Sequence, residues 1–161
     1  MARGLIRATY KLRDEIRACR SPFIRGQEFP EGYYDPAKKS TPENEAQGWA
    51  HVYKNRWQPV WGAIQEFDAQ TLEAEALWGG GIREKTDKLR ECVAELNSAI
   101  DAIISDKASG GRDFESDREF GRKMRSIASA SGSDSKNELS KKIAEAVTGI
   151  EDKIRPHLKR S

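Results

Sequence analysis

Apolar residues recur along this chain at alternating steps of three and four, the spacing that puts one stripe on one face of an α-helix. Leu5, Thr9, Leu12, Ile16 and Cys19 form the first stripe. Its helix should stop near Arg20, because Pro22 disfavours helical geometry at Ser21. A second stripe runs through Trp49, Tyr53, Trp57, Val60, Ile64, Phe67, Thr71, Ala74 and Trp78. Ser40-Thr41-Pro42-Glu43 offers that helix a capping hydroxyl, an early proline and an early acid. Gly79-Gly80-Gly81 ends it. The helix would run about 55 Å. Pro59 removes a backbone donor and crowds the carbonyl of Asn55, which predicts a kink over Asn55–Pro59.

Ile82, Thr86, Leu89, Val93, Leu96, Ile100 and Ile103 predict a third helix, closed by Gly110-Gly111. A shorter fourth should begin at Asp113, acidic early and basic late, with Phe114, Phe120, Met124 and Ile127 on its apolar side. Leu139, Ile143, Val147, Ile150, Ile154 and Leu158 mark the last helix. Ser135-Lys-Asn-Glu138 matches a capping box at its start, and Pro156 places its end near Arg155. Residues 21–41 read as irregular, but Phe23, Phe29, Tyr33 and Tyr34 should lay some of their rings in grooves of the bundle. Residues 129–135 read as a flexible serine- and glycine-rich linker. Strict apolar–polar alternation occurs nowhere. The pattern predicts an all-α protein: a single domain over 1–161, an antiparallel bundle of four to five helices with one long proline-kinked helix.

Charge changes this picture in one respect. The 161 residues carry 28 basic and 26 acidic side chains, a net +2 that conceals an asymmetry. Residues 1–40 hold nine basic and five acidic side chains, whereas residues 41–81 hold two and six. A nucleic-acid footprint usually needs a larger basic surplus, so that partner is disfavoured. The first helix should instead direct its arginines toward Glu66, Asp68, Glu73 and Glu75 of the second. No apolar run reaches the ~18 residues of a membrane span. No apolar core of about 7–15 residues follows Met1, so a secretory signal is not expected. Cys19 and Cys92 read as reduced, buried thiols.

Chemistry is hard to find. A carboxylate-bridged di-metal site in a bundle needs Glu-x-x-His on two helices. The only histidines are His51 and His157, preceded at that spacing by Gly48 and Ile154. His51 would meet Cys92 only if the second and third helices pair, and an exposed histidine without a role is the plainer reading. Gly79–Gly81 lacks both the preceding strand and the following Lys-Ser/Thr of a phosphate loop. No catalytic, cofactor or metal site is therefore expected.

Two features stand out. Trp49, Trp57 and Trp78 lie on the second stripe, where core packing is expected, while Trp61 lies one step off it. Core packing is the ordinary reading for Trp61 too, but beside Pro59 and Gly62 it is the candidate partner anchor. The second feature is a band of arginines, Arg3, Arg7, Arg13, Arg17 and Arg20, opposite the first stripe. They are the candidate contacts for an anionic surface, membrane head groups or nucleic acid.

Ala8-Thr-Tyr-Lys-Leu-Arg-Asp-Glu-Ile16, Arg56-Trp-x-Pro59, Glu73-Ala-Glu-Ala-Leu-Trp-Gly79 and Ile154-Arg-Pro-His-Leu158 together give the chain a likeness. It resembles small bacterial helical proteins of no established activity. In many of them an N-terminal membrane helix directly precedes the Tyr-x-x-Arg-Asp segment; here only Met1–Arg7 does. The resemblance implies membrane anchoring if the native chain carries such a helix, and a cytoplasmic protein otherwise. The expected function is a non-enzymatic bundle for protein–protein interaction or scaffolding, with an unidentified protein or a second copy as partner. Peripheral membrane contact through the arginine band is the alternative.

Overall fold

Each apolar stripe becomes a helix in the computed structural model, which describes residues 2–159. Helices α1 (Ala2–Cys19), α2 (Pro42–Trp78) and α3 (Gly81–Ala108) follow in order, then α4 (Arg112–Ser116), α5 (Arg118–Ala128) and α6 (Glu138–Leu158). No strand occurs among the described residues. The expected fourth helix is broken in two at Asp117, whose side chain caps α5 by accepting the Phe120 amide at 3.0 Å. Thr41 caps α2 through the Asn44 amide, as the sequence suggests. The cap of α6 is Asn137 rather than Ser135, and the helix continues through Pro156. The expected capping box is thus displaced, because Asn137 is held by a buried partner from α1, described below.

Cross-helix contacts fix the topology. Arg56 reaches the carbonyl of Cys19, and Lys11 lies 3.4 Å from Glu66, so α1 and α2 are antiparallel. Asp68–Arg90 and Glu45–Lys107 run α3 antiparallel to α2. Lys142–Glu95 pairs α6 with α3, and Tyr10 donates to Glu151 at 2.7 Å across α1 and α6. The four long helices thus close a ring in which each packs on two neighbours. Their inward stripes merge into one apolar cluster running from Ala2 to Ile154, with Leu5, Phe67, Leu89 and Ile154 fully enclosed. Each such side chain contributes about 1.5–3 kcal/mol relative to leaving it in water.

The helices are unequal. At 37 and 28 residues, α2 and α3 outrun α1 and α6, which have 18 and 21. The overhanging hairpin is covered from two sides. On one, α4 and α5 pack on α3. On the other, the irregular segment docks through Phe29, which stacks on Tyr33 at 4.4 Å between centroids and meets the Trp49 edge at 5.5 Å. Gly48 makes this docking possible, since a Cβ there would collide with the Tyr33 ring. Phe29 is buried, but Phe23 is 82% and Tyr34 66% exposed, so the segment inserts only part of its aromatic content. Gly79, at φ 89°, supplies the left-handed residue that lets α2 reverse into α3.

Candidate functional site

The arginines of α1 divide into three environments. Arg3, Arg7 and Arg17 are exposed and have no ion-pair partner among the described residues. Arg13 pairs with its neighbour Asp14 at 2.9 Å and lies over the Tyr10 ring. Arg20 does not belong to the surface band at all: it is 4% exposed. Its Nε donates to the Ile127 carbonyl at 2.8 Å, and its Nη1 to Ser140 Oγ at 2.9 Å. Its Nη2 serves Asn137 Oδ1 and the Ser126 carbonyl. Burial lowers its pKa from the usual value. The guanidinium nonetheless stays charged at any physiological pH.

The expected attraction between α1 arginines and α2 glutamates is not what the fold builds. Among the described residues, only Lys11 of α1 reaches an α2 carboxylate, Glu66. Asp68 and Glu75 are taken by Arg90 and Arg83 of α3. Arg3, Arg7 and Arg17 project into solvent, and α3 presents its own cations across the hairpin.

A second, half-buried arginine carries a structural role that the sequence did not assign to it. Arg56, from α2, donates to the carbonyls of Cys19, Ser21 and Phe23 and binds Glu28 through two nitrogens, at 2.7 and 3.1 Å. It thereby caps α1 and fastens the irregular segment. Hydrogen bonding to Arg56 holds the Glu28 carboxyl below its ordinary value, and Glu28 in turn raises Arg56. Its signals in the sequence were its place as the lone arginine of residues 41–81 and its part in the Arg56-Trp-x-Pro59 motif.

His51 and Cys92 do not form a catalytic pair. His51 is exposed, its ring nitrogen 3.2 Å from the Asn55 amide, whereas Cys92 is buried on α3 beside α6. Burial pushes both Cys19 and Cys92 up to about 11. At pH 8 each thiol is therefore protonated as well as enclosed. Native protein should react with a thiol reagent on the order of a hundredfold more slowly than free cysteine, with full reactivity returning in denaturant. Rapid labelling of either cysteine in the folded state would contradict this environment. His157 is occupied in stacking on Trp78 at 4.2 Å. No cluster of three or more metal-ligating side chains occurs among the described residues. No helix there is long and apolar enough to cross a membrane.

Trp61 is not a core residue; it is 55% exposed and borders a groove of about 460 Å³ between α2 and α3. Trp57, also on that groove, is half-buried. Trp61 has company that the sequence reading overlooked. Gln58, Gly62, Gln65, Ala69, Leu72 and Ala76 are all exposed, at steps of 4, 3, 4, 3 and 4. They form a second stripe on α2, opposite the buried one, and none is charged. In a chain with 34% charged residues, such an uncharged solvent face over five turns is unusual. Leu72, its largest apolar member, is 63% exposed. The signal was in the sequence as a second heptad-like register, hidden beneath the stronger aromatic one.

Compared with models of known families, with curated proteins and with solved structures, the chain matches none, and the bacterial resemblance therefore rests on its motifs alone.

Proposed function

We propose that this chain is a non-enzymatic protein–protein interaction module that associates with a second copy of itself along the outer face of α2. The observation that carries this reading is the uncharged exposed stripe from Gln58 to Ala76. It extends about 27 Å along the helix. An antiparallel pair of α2 helices, with the two-fold axis beside Phe67, sets Gln58 against Ala76, Gly62 against Leu72 and Gln65 against Ala69. Every layer then joins a large side chain to a small one. Gly62 is the receiving notch for Leu72, for the position where its Cβ would sit has nothing within 4 Å. Small residues let helix axes approach, so dispersion contacts and apolar burial both increase. Trp61 falls across from Glu73 of the other copy, where its indole N–H has an acceptor. The carboxylates flanking the stripe mostly carry their own cations already: Glu66 with Lys11, Asp68 with Arg90 and Glu75 with Arg83. Like charges across the seam are correspondingly muted.

Sedimentation velocity over a wide range of protein concentration is the test. Dimer should grow with concentration and disappear in both Leu72→Glu and Gly62→Leu. The second variant is informative because it removes a helix-interior glycine worth up to about 1 kcal/mol of propensity, so its monomer should unfold no more easily than the parent. A chain that stays monomeric throughout, or a dimer that both substitutions leave intact, would refute the reading.

Contact with an anionic surface is a second reading, favoured by Arg3, Arg7 and Arg17, which are exposed and have no ion-pair partner among the described residues. Binding to anionic vesicles should then weaken with salt, as screening requires.

A further inference from the structure

Where the end of α1 meets the start of α6, Arg13, Arg17 and Arg20 line one cavity of about 120 Å³. Spacings of four and three bring these side chains to the same side of α1. Ile16 and Ile143 supply its apolar wall, and the Ala130–Gly132 turn and Ser140 border it. From these features we infer that the cavity is a binding site for a single oxyanion, the phosphate group of a small ligand or of a lipid head group. The inference is independent of the α2 surface.

First, the site is cationic: Arg13 is matched by its neighbour Asp14, but the guanidinium groups of Arg17 and Arg20 face a single lining carboxylate, Asp134. Asp134 Oδ1 is already engaged by the Lys136 amide at 3.0 Å. Second, the deepest arginine is held in place rather than free. Four of the five N–H groups of Arg20 are satisfied by Ile127, Ser126, Asn137 and Ser140, which leaves one Nη1 hydrogen with no acceptor among the described residues. Such a donor costs no ordering when an anion arrives. Third, Ser140 Oγ accepts from Arg20, so its own proton remains to donate into the cavity. Ser140 also lies in the first turn of α6, where the helix dipole favours negative charge. Fourth, Arg17 stands at the cavity without an ion-pair partner among the described residues, and is thus able to close over a ligand. Planar guanidinium forks suit phosphate oxygens particularly well. The volume selects the ligand. At well under the ~300 Å³ of a pocket for a drug-sized molecule, it admits a tetrahedral end group and leaves any larger body outside.

The test is titration of the full chain with inorganic phosphate at constant ionic strength, followed through arginine side-chain NMR signals. Saturable shifts in Arg17 and Arg20 are expected. Arg17→Gln should weaken binding about tenfold, the usual cost of one charge-assisted contact. Ser140→Ala should weaken it less, and Arg3→Gln with Arg7→Gln should not change it. Vesicles containing phosphatidic acid separate the two sources of phosphate. If they bind and Arg17→Gln weakens them in parallel, the group is a lipid head group; if they do not bind while phosphate saturates, it belongs to a soluble ligand. Absence of saturation would overturn the inference. So would phosphate binding that Arg17→Gln leaves unchanged, or vesicle binding that only Arg3 and Arg7 control.

Discussion

Replacing Arg20 with alanine should lower the free energy of unfolding by about 3–5 kcal/mol, a large part of the ~5–15 kcal/mol typical of a domain. The side chain is 4% exposed and joins three separate pieces of chain. It satisfies two carbonyls at the end of α5, the oxygen of the α6 cap Asn137, and Ser140 in α6. Its own carbonyl takes the Ala130 amide at 3.0 Å, so the segment entering the last helix is bound to α1 from both sides. Alanine strands the Ile127 carbonyl and removes the donor to Ser140 Oγ, while the Ser126 carbonyl and Asn137 Oδ1 each keep one bond, from Asn137 Nδ2 and the Ser140 amide. Each stranded buried polar group costs about 1–3 kcal/mol before water relieves part of it, and the emptied space adds to the loss. Urea unfolding followed by circular dichroism measures the loss. Arg20→Lys should recover only a minor part, since one ammonium cannot serve acceptors spread around a planar fork. A loss below about 1 kcal/mol for Arg20→Ala would mean that these groups find other partners.

Arg56→Gln is the second change of this size, with an expected loss of about 2–4 kcal/mol. Here the damage should be localised. Arg56 donates to the carbonyls of Cys19, Ser21 and Phe23, so its removal uncaps α1 and releases residues 21–29 from the bundle. Cleavage of the variant by a nonspecific protease should begin in that segment while α2 and α3 survive. Acid provides an independent readout. The Glu28 carboxyl titrates below its ordinary 4.5 because Arg56 is bonded to its charged form. A group lowered in this way contributes stability that is fully present above the unfolded value and disappears as pH falls through the folded one. The parent should therefore lose stability more steeply than Arg56→Gln below pH 4.5. Equal acid slopes in the two proteins would show that the pair contributes nothing.

Helix positions were legible in the sequence because the period of a buried stripe is local. Leu5 to Cys19, Ile82 to Ile103 and Leu139 to Ile154 mark their helices without reference to any other segment, and all three lie in the core. The turns were legible for the same reason: Pro22, Gly79 and Gly110 act on their own backbone. Loop docking was partly legible, since Phe29 and Tyr33 are too apolar for a free linker. What failed was every statement about which charge meets which. Arg20 looked like the last member of an exposed band, because its place on the helical wheel borders that of Arg13. Its position becomes interior only when the ends of α5 and α6 close over it. Trp61 failed in the opposite sense, since core packing was the ordinary reading for an aromatic so close to the stripe.

The sequence by itself determined an all-α chain, the number and limits of its long helices to within a turn, and the residues that face inward. Local backbone preference and the 3.6-residue period suffice for that. Only the tertiary structure decided the roles of Arg20 and Arg56, the diversion of the α2 carboxylates to α3, and the cavity that Arg17 lines. Those depend on how far each helix slides along its neighbours. A shift of one turn, about 5.4 Å, would exchange every partner while leaving each stripe intact.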